Sequence, residues 1–184
     1  MRRGPAIALA LGGLAWAAAA QAAQAPALQA VAAFGALCAT GELTPQAVLA
    51  RAEAAGWRRG GPDAPKDFDP QTQRLSPAGG AALRLMVTSE TSLGERRDTC
   101  GVGGTAPMAG VVAATGAWLG FPPALDLRTT GTFYAVRTGE AWASGAKLDH
   151  AAFAGVKAEG RFYSIVTSDE PAAMLLLLHV RPAP

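Results

Sequence analysis

The chain has two cysteines, Cys38 and Cys100, and this pair restricts its fold more than any other feature of the sequence. In an oxidising compartment, two cysteines far apart in sequence form a bridge more often than they stay free. A Cys38–Cys100 disulfide would close about 60 residues and stabilise the fold by about 4 kcal/mol through lost entropy of the unfolded chain. How the pair is interpreted therefore depends on the compartment.

The first 22 residues have the three-part pattern of a secretory signal peptide. Two arginines precede an apolar run from Ala6 to Ala20, and small residues follow. The run is shorter than the roughly 20 residues that a membrane-spanning helix needs. Ala20 and Ala22 fit the small-x-small rule, which predicts cleavage after Ala22, with a retained membrane anchor as the alternative. We therefore expect a mature chain of residues 23–184, periplasmic or secreted.

The charge balance argues against two classes of partner. The whole chain has 16 Lys and Arg against 14 Asp and Glu, and loss of the signal peptide leaves 14 of each. No block of five like charges occurs. Attraction to nucleic acid or to an anionic membrane needs a positively charged surface. We therefore expect neither nucleic-acid binding nor membrane insertion after signal cleavage. An envelope protein or a small molecule remains a possible partner.

Apolar spacing and end signals predict three helices. The first carries Phe34 and Cys38 on its inner face. The second begins at the N-cap residue Thr44, which a proline follows, and ends at Gly56. The third lies between residues 105 and 121, after the segment that carries the second cysteine.

Strands are predicted from alternating polarity. Residues 58–80 hold four prolines and four glycines and predict a long surface connection. A hairpin carrying the second cysteine is predicted at 82–103, and further strands are predicted at 131–137, 161–167 and 172–181. The less regular region 138–160 suggests a strand near 141–144 and a helix near 148–155. We therefore predict a single α+β domain, with an antiparallel sheet and helices packed on one face.

Cys100 has a second possible role, as a nucleophile with His150 or His179 as its base. Glycines between a strand and a helix offer N–H groups that lower a thiol pKa and hold an oxyanion. That interpretation leaves Cys38 as an unpaired buried thiol. The structural bridge is therefore favoured.

The stretch GVGGTA at residues 101–106 matches the G-x-G-x-x-A pattern of dinucleotide-binding proteins. That pattern needs a parallel strand before it and a helix after it, whereas the strand here belongs to a predicted hairpin. We favour a flexible turn and expect no nicotinamide cofactor.

Asp149 and His150 form the one acid–histidine neighbour pair and are candidates for an orienting acid and a base. No G-x-S-x-G pattern supplies a matching serine, so a solvated turn is favoured. The two histidines are far apart and both cysteines are committed, which leaves no transition-metal cluster. Asp67 and Asp69 lack the spacing of a calcium loop. The aromatic residues that could line a small-molecule pocket, rather than the core, are Phe68, Trp142, Phe153 and Tyr163.

The F-x-x-x-C run of Phe34 and Cys38, followed by a looser A-x-x-A-x-x-x-G-W run within residues 47–57, resembles a group of small uncharacterised exported proteins of Gram-negative bacteria. In that group a second cysteine usually lies in a later strand, the position that Cys100 would take. The resemblance covers only part of the chain and implies no particular activity.

Two classes of function follow. The favoured one is a non-catalytic binding or interaction module of the periplasm. The alternative is a hydrolase-like enzyme that uses Cys100 or the Asp149/His150 pair. Polar groups converging on a histidine would favour the enzyme, and an exposed apolar patch or an open sheet edge would favour the binding module.

Overall fold

The structure, a computed structural model, describes residues 26–62, 64–78, 82–104, 107–170 and 174–183. The predicted signal peptide and its cleavage site lie outside these residues. Four helices and an eight-stranded antiparallel sheet form an α+β fold within the described part, which confirms the predicted fold class. None of these helices is both long enough and apolar enough to cross a bilayer.

The helices α1 to α4 span 26–37, Pro45–Ala54, Val111–Leu119 and His150–Ala158. The strands β1 to β8 span Gln73–Leu75, Leu83–Ser92, Glu95–Gly104, Leu125–Leu127, Thr130–Thr138, Ala141–Ser144, Phe162–Ser168 and Met174–Pro182. The strand order is β1-β2-β3-β8-β7-β5-β4, and β6 pairs with the end of β5.

Helix α2 begins and ends with the predicted signals. The Thr44 side chain accepts a hydrogen bond from the backbone N–H of Ala47, and Pro45 occupies the first turn, where a missing N–H is tolerated. Gly56 follows the helix with φ +81°, a left-handed conformation that glycine adopts without steric cost. Both ends of α2 are thus set by local sequence signals.

The predicted hairpin is formed by β2 and β3, which pair in register from Leu83 with Gly104 to Ser92 with Glu95. Strands β5, β7 and β8 lie at the other predicted positions, and β6 and α4 occupy the less regular region. Two three-residue strands were not expected. β1 lies within the predicted surface connection, and β4 pairs with β5, because each finds hydrogen-bond partners on a neighbouring strand.

Three helices cover one face of the sheet, which we call the inner face. The approach of α3 to β5 is close, since a Cβ on Gly131 would lie 2.7 Å from Cγ1 of Val112. Helix α4 instead packs against the opposite, outer face, where the rings of Phe153 and Phe162 meet at 4.9 Å. Phe162 points outward because its neighbour Tyr163 points into the core. The predicted one-sided helical layer thus holds for α1 to α3, and α4 departs from it.

Candidate functional site

Cys38 and Cys100 are joined by a disulfide, with their Cα atoms 5.4 Å apart. Cys38 follows α1 directly, and Cys100 lies in the middle of β3; both side chains are buried. The predicted bridge is confirmed. Because its sulfur is bonded to Cys38, Cys100 has no thiol that could serve as the nucleophile of the alternative interpretation.

Asp149 and His150 lie at the start of α4 on the protein surface. The Asp149 carboxylate caps this helix, with Oδ1 accepting a hydrogen bond from the Ala152 backbone N–H at 2.8 Å. His150 is exposed in the first turn. The prediction of a solvated turn is therefore wrong: the two residues form the exposed N-terminus of a helix, which Asp149 caps.

The glycine-rich stretch lies in a strand rather than in a turn. Gly101–Gly104 belong to β3, which is antiparallel to both of its neighbours. Residues 105 and 106, which complete the pattern, lie outside the described residues. A Cβ on Gly101 would come within 2.5 Å of the Leu176 side chain, so the glycine lets Leu176 lie across the strand. A dinucleotide site uses a parallel βαβ unit, and this context differs from it.

The sheet register assembles a cluster of polar and aromatic side chains at one end of the inner face. Asp98 lies opposite His179, His179 opposite Tyr163, and Tyr163 opposite Ala135. Directly opposed residues point to the same face, so four different strands contribute to one row.

A second row lies two residues further toward the end of the strands. It places Arg96 opposite Arg181, and Arg137 opposite Trp142. The alternation of side chains puts this row on the same face as the first. The site is therefore built by long-range pairing.

Asp98 is the buried charge of this cluster, with only 1% of its surface exposed. It accepts hydrogen bonds from Ser89 Oγ at 2.7 Å, from Arg96 Nε at 3.0 Å and from Arg181 Nη2 at 3.2 Å. Burial is the largest single influence and raises the pKa of Asp98, but the bonds from Ser89 and Arg96 and the charges of both arginines together lower it. Asp98 is therefore ionised and fully paired.

His179 is held between a ring and a carbonyl. Its imidazole stacks on Tyr163 with centroids 4.6 Å apart, and Nε2 donates to the Gly160 carbonyl at 2.8 Å. Burial and the charge of Arg181 lower the pKa of His179, more than the Gly160 bond and the charge of Asp98 raise it. The imidazole is thus neutral at pH 7, and Asp98 binds serine and arginine rather than His179. The geometry is not that of a Ser-His-Asp relay.

Two cavities open beside the loop that follows the disulfide. The smaller, about 170 Å³, is lined by Asp98, Tyr163, His179 and Arg181 together with the loop Gly41–Leu43. The larger, about 470 Å³, we call the aromatic cleft. The aromatic cleft is lined by Gly35, Ala39, Thr40, Trp118, Leu119, Arg137, Glu140 and Trp142.

Aromatic rings in tilted and edge-on contact form the wall of the aromatic cleft. The ring centroids of Trp118 and Trp142 are 6.1 Å apart, and Trp118 packs edge-on against the buried Phe34 of α1. Trp142 in turn meets Tyr163 at 5.2 Å, which connects the aromatic cleft to the smaller cavity. The wall thus packs directly against the hydrophobic core.

Only part of this site was predicted from the sequence. Trp142 and Tyr163 were pocket candidates and lie in it. Phe68 lies in the connection before β1 and Phe153 on the outer face. The residues of the site that the sequence analysis missed are Asp98, Arg137, Arg181 and, as a pocket residue, Trp118. One signal was available for Asp98. Side chains alternate between the two faces of a strand, so a residue two positions before the inward-pointing Cys100 is expected to point inward as well.

The described residues contain no group of three or more His, Cys, Asp or Glu side chains that could hold a metal ion. Comparison with protein-family models, with curated proteins and with solved structures found no match. The interpretation of the site therefore rests on its geometry.

The buried His179 predicts a loss of stability in mild acid. Its folded pKa lies below 6.5, so on acidification the unfolded chain takes up a proton that the folded protein does not. Stability should fall as the pH drops below about 6.5, by at most about 1.4 kcal/mol per pH unit, until the folded pKa is reached. Urea titrations between pH 7.5 and 5 would measure the free energy of unfolding as a function of pH. In His179→Gln this free energy should depend less on pH over the same range. An unchanged slope in His179→Gln would contradict the assignment.

Proposed function

We propose that this protein is exported to the periplasm and acts there as a non-catalytic binding module, with the aromatic cleft as its ligand site. The signal-peptide pattern of the first 22 residues supports export, and the Cys38–Cys100 disulfide is suited to an oxidising compartment.

The observation that carries this proposal is the aromatic cleft itself. Its volume of about 470 Å³ lies within the range of small-molecule sites, and both aromatic rings and polar groups line it. Trp118 and Trp142 supply the apolar wall, and Arg137 and Glu140 supply charge at the rim. Because Cys38 anchors the adjacent loop to β3, the opening is preorganised and a ligand need not order it.

The arrangement of the polar groups favours binding over catalysis. Asp98 is saturated by Ser89 and two arginines, and His179 is tied to a backbone carbonyl. Cys100 is bonded and Asp149 caps a helix. Each of these four groups thus has a structural partner, and His150, the remaining candidate base, is exposed in the first turn of α4.

The test is a search for small molecules that occupy the aromatic cleft. Sugars, amino acids, aromatic acids and aromatic amines would be titrated into the full chain, with the indole N–H signals followed by NMR. A true ligand should shift the signals of Trp118 and Trp142 and leave that of Trp57, which is buried behind α2, in place.

Two variants separate the aromatic cleft from other surfaces. Trp142→Ala should abolish the effect of such a ligand, while Phe153→Ala, on the outer face, should retain it. A ligand that still binds to Trp142→Ala would place the site elsewhere. Chemical conversion of the ligand by the purified protein would favour the enzyme.

A further inference from the structure

We propose that the aromatic cleft binds a carboxylate attached to an apolar ring, with Arg137 holding the carboxylate. The inference rests on the proposed function and names the ligand class of the same site. It is carried by the orientation of one arginine and by its neighbours.

Arg137 is held in place but has no acidic partner. Its guanidinium lies over the Trp142 ring, 5.5 Å from the centroid, and its Nε donates to the Gly139 carbonyl at 2.9 Å. Burial raises the pKa of the Tyr163 hydroxyl, and the charge of Arg137 together with a side-chain hydrogen bond between the two residues partly offsets this rise. No carboxylate of the described residues lies within 4.0 Å of this guanidinium. The Nε bond and the hydrogen bond with Tyr163 leave the remaining N–H groups of the guanidinium for a planar, two-oxygen acceptor.

A second guanidinium adds to the positive charge. Arg51 donates from Nη2 to the carbonyls of Leu37 and Glu42 at 2.8 and 2.9 Å, which fixes it under the loop beside the aromatic cleft. Its Nε is buried and has no hydrogen-bond partner. Burial and then the charge of Arg137 lower the pKa of Arg51, and Glu42 offsets them only in part. Two cations held near each other are stabilised by a bound anion.

Two carboxylates also lie nearby, Glu42 and Glu140. Both side chains are exposed, whereas those of Arg51 and Arg137 are half-buried. Water and salt screen exposed charges more strongly than partly buried ones. The charges of the two arginines are therefore screened less than those of the two glutamates.

The apolar part of the ligand is inferred from the wall. Trp118 and Trp142 present ring surfaces next to Arg137, with Leu119 beside them. An aromatic ring can pack against such a wall in an offset or edge-on geometry while its substituent reaches the guanidinium.

The probes are benzoate, benzyl alcohol and benzylamine, which share a ring and differ in charge. Each is titrated at constant ionic strength into the full chain, and the indole signals of Trp118 and Trp142 report binding, with Trp57 as an internal reference. Benzoate should bind about tenfold more tightly than benzyl alcohol, as expected for a hydrogen-bonded charge pair. Benzylamine should bind most weakly.

Substitutions then assign the preference to Arg137. Arg137→Gln should remove the advantage of benzoate and leave the affinity for benzyl alcohol nearly unchanged. Arg137→Lys, which keeps the charge but loses the planar fork, should lie between the two. Glu140→Gln should strengthen benzoate binding. Arg84→Gln is the matched control, because that arginine pairs with Asp67 away from the aromatic cleft and should not alter any of the three affinities.

The outcomes are distinct. Equal affinities for benzoate and benzyl alcohol would overturn the inference that the ligand is a carboxylate, but would support a binding cleft. Tighter binding of benzylamine than of benzoate would have the same two consequences. Benzoate selectivity that survives in Arg137→Gln would also overturn the inference. If none of the probes shifts either cleft tryptophan, both the inference and the proposed ligand site are contradicted.

Discussion

Replacing either Cys38 or Cys100 by alanine is expected to lower the free energy of unfolding by about 2–5 kcal/mol. The disulfide spans 62 residues, so cutting it frees a long loop in the unfolded chain. It also releases the end of α1 from β3, where both sulfur atoms are buried in the core. Urea titration of the oxidised protein and of each variant would measure the change.

The double variant distinguishes a cross-link from two separate packing effects. Either single substitution already breaks the bond, so Cys38→Ala, Cys100→Ala and the double variant should lose similar amounts of stability. The oxidised wild type should also resist alkylation by iodoacetamide until it is reduced. A rapidly alkylated thiol in the oxidised protein, or additive losses in the double variant, would contradict the bridge.

Asp98→Ala is expected to cost about 2–4 kcal/mol, because removing one member of a buried ion pair leaves charged partners without compensation. Arg96 and Arg181 would lose the carboxylate they share, and Ser89 would lose its acceptor. Both arginines are partly exposed and can regain water, which keeps the loss at the lower end of the range for buried pairs. Urea titration at pH 7 would measure the effect.

Two comparisons test the explanation for Asp98. Asp98→Asn keeps the shape and an acceptor for Ser89, so it should cost less than Asp98→Ala. Asp67→Asn breaks the exposed pair with Arg84 and should change stability little. Equal losses of stability in the Asp98 and Asp67 variants would show that burial is unimportant here.

The pKa of Asp98 is lowered, so the stability that its carboxylate contributes is present above about pH 3.8 and is lost as the pH falls through the folded pKa.

Local patterns predicted much of the secondary structure. The caps of α2 at Thr44 and Gly56 and the alternation of β2 act over a few residues, so they can be read without knowing the fold. The three-residue strands β1 and β4 carry no such pattern, since they exist only through pairing with β2 and β5. Helix α4 was expected near its position, but its packing on the outer face depends on the contact of Phe153 with Phe162.

The sequence by itself determined the α+β class, the caps of α2 and the cysteine pair, because short-range periodicity and the chemistry of two thiols carry that information. Only the tertiary structure decided that Asp98, His179 and Tyr163 stand in one row and that Arg137 lies over Trp142. These residues come from five strands, and the register between strands sets which side chains meet. Register follows from the packing of the whole inner face, so no single segment of the chain could predict it.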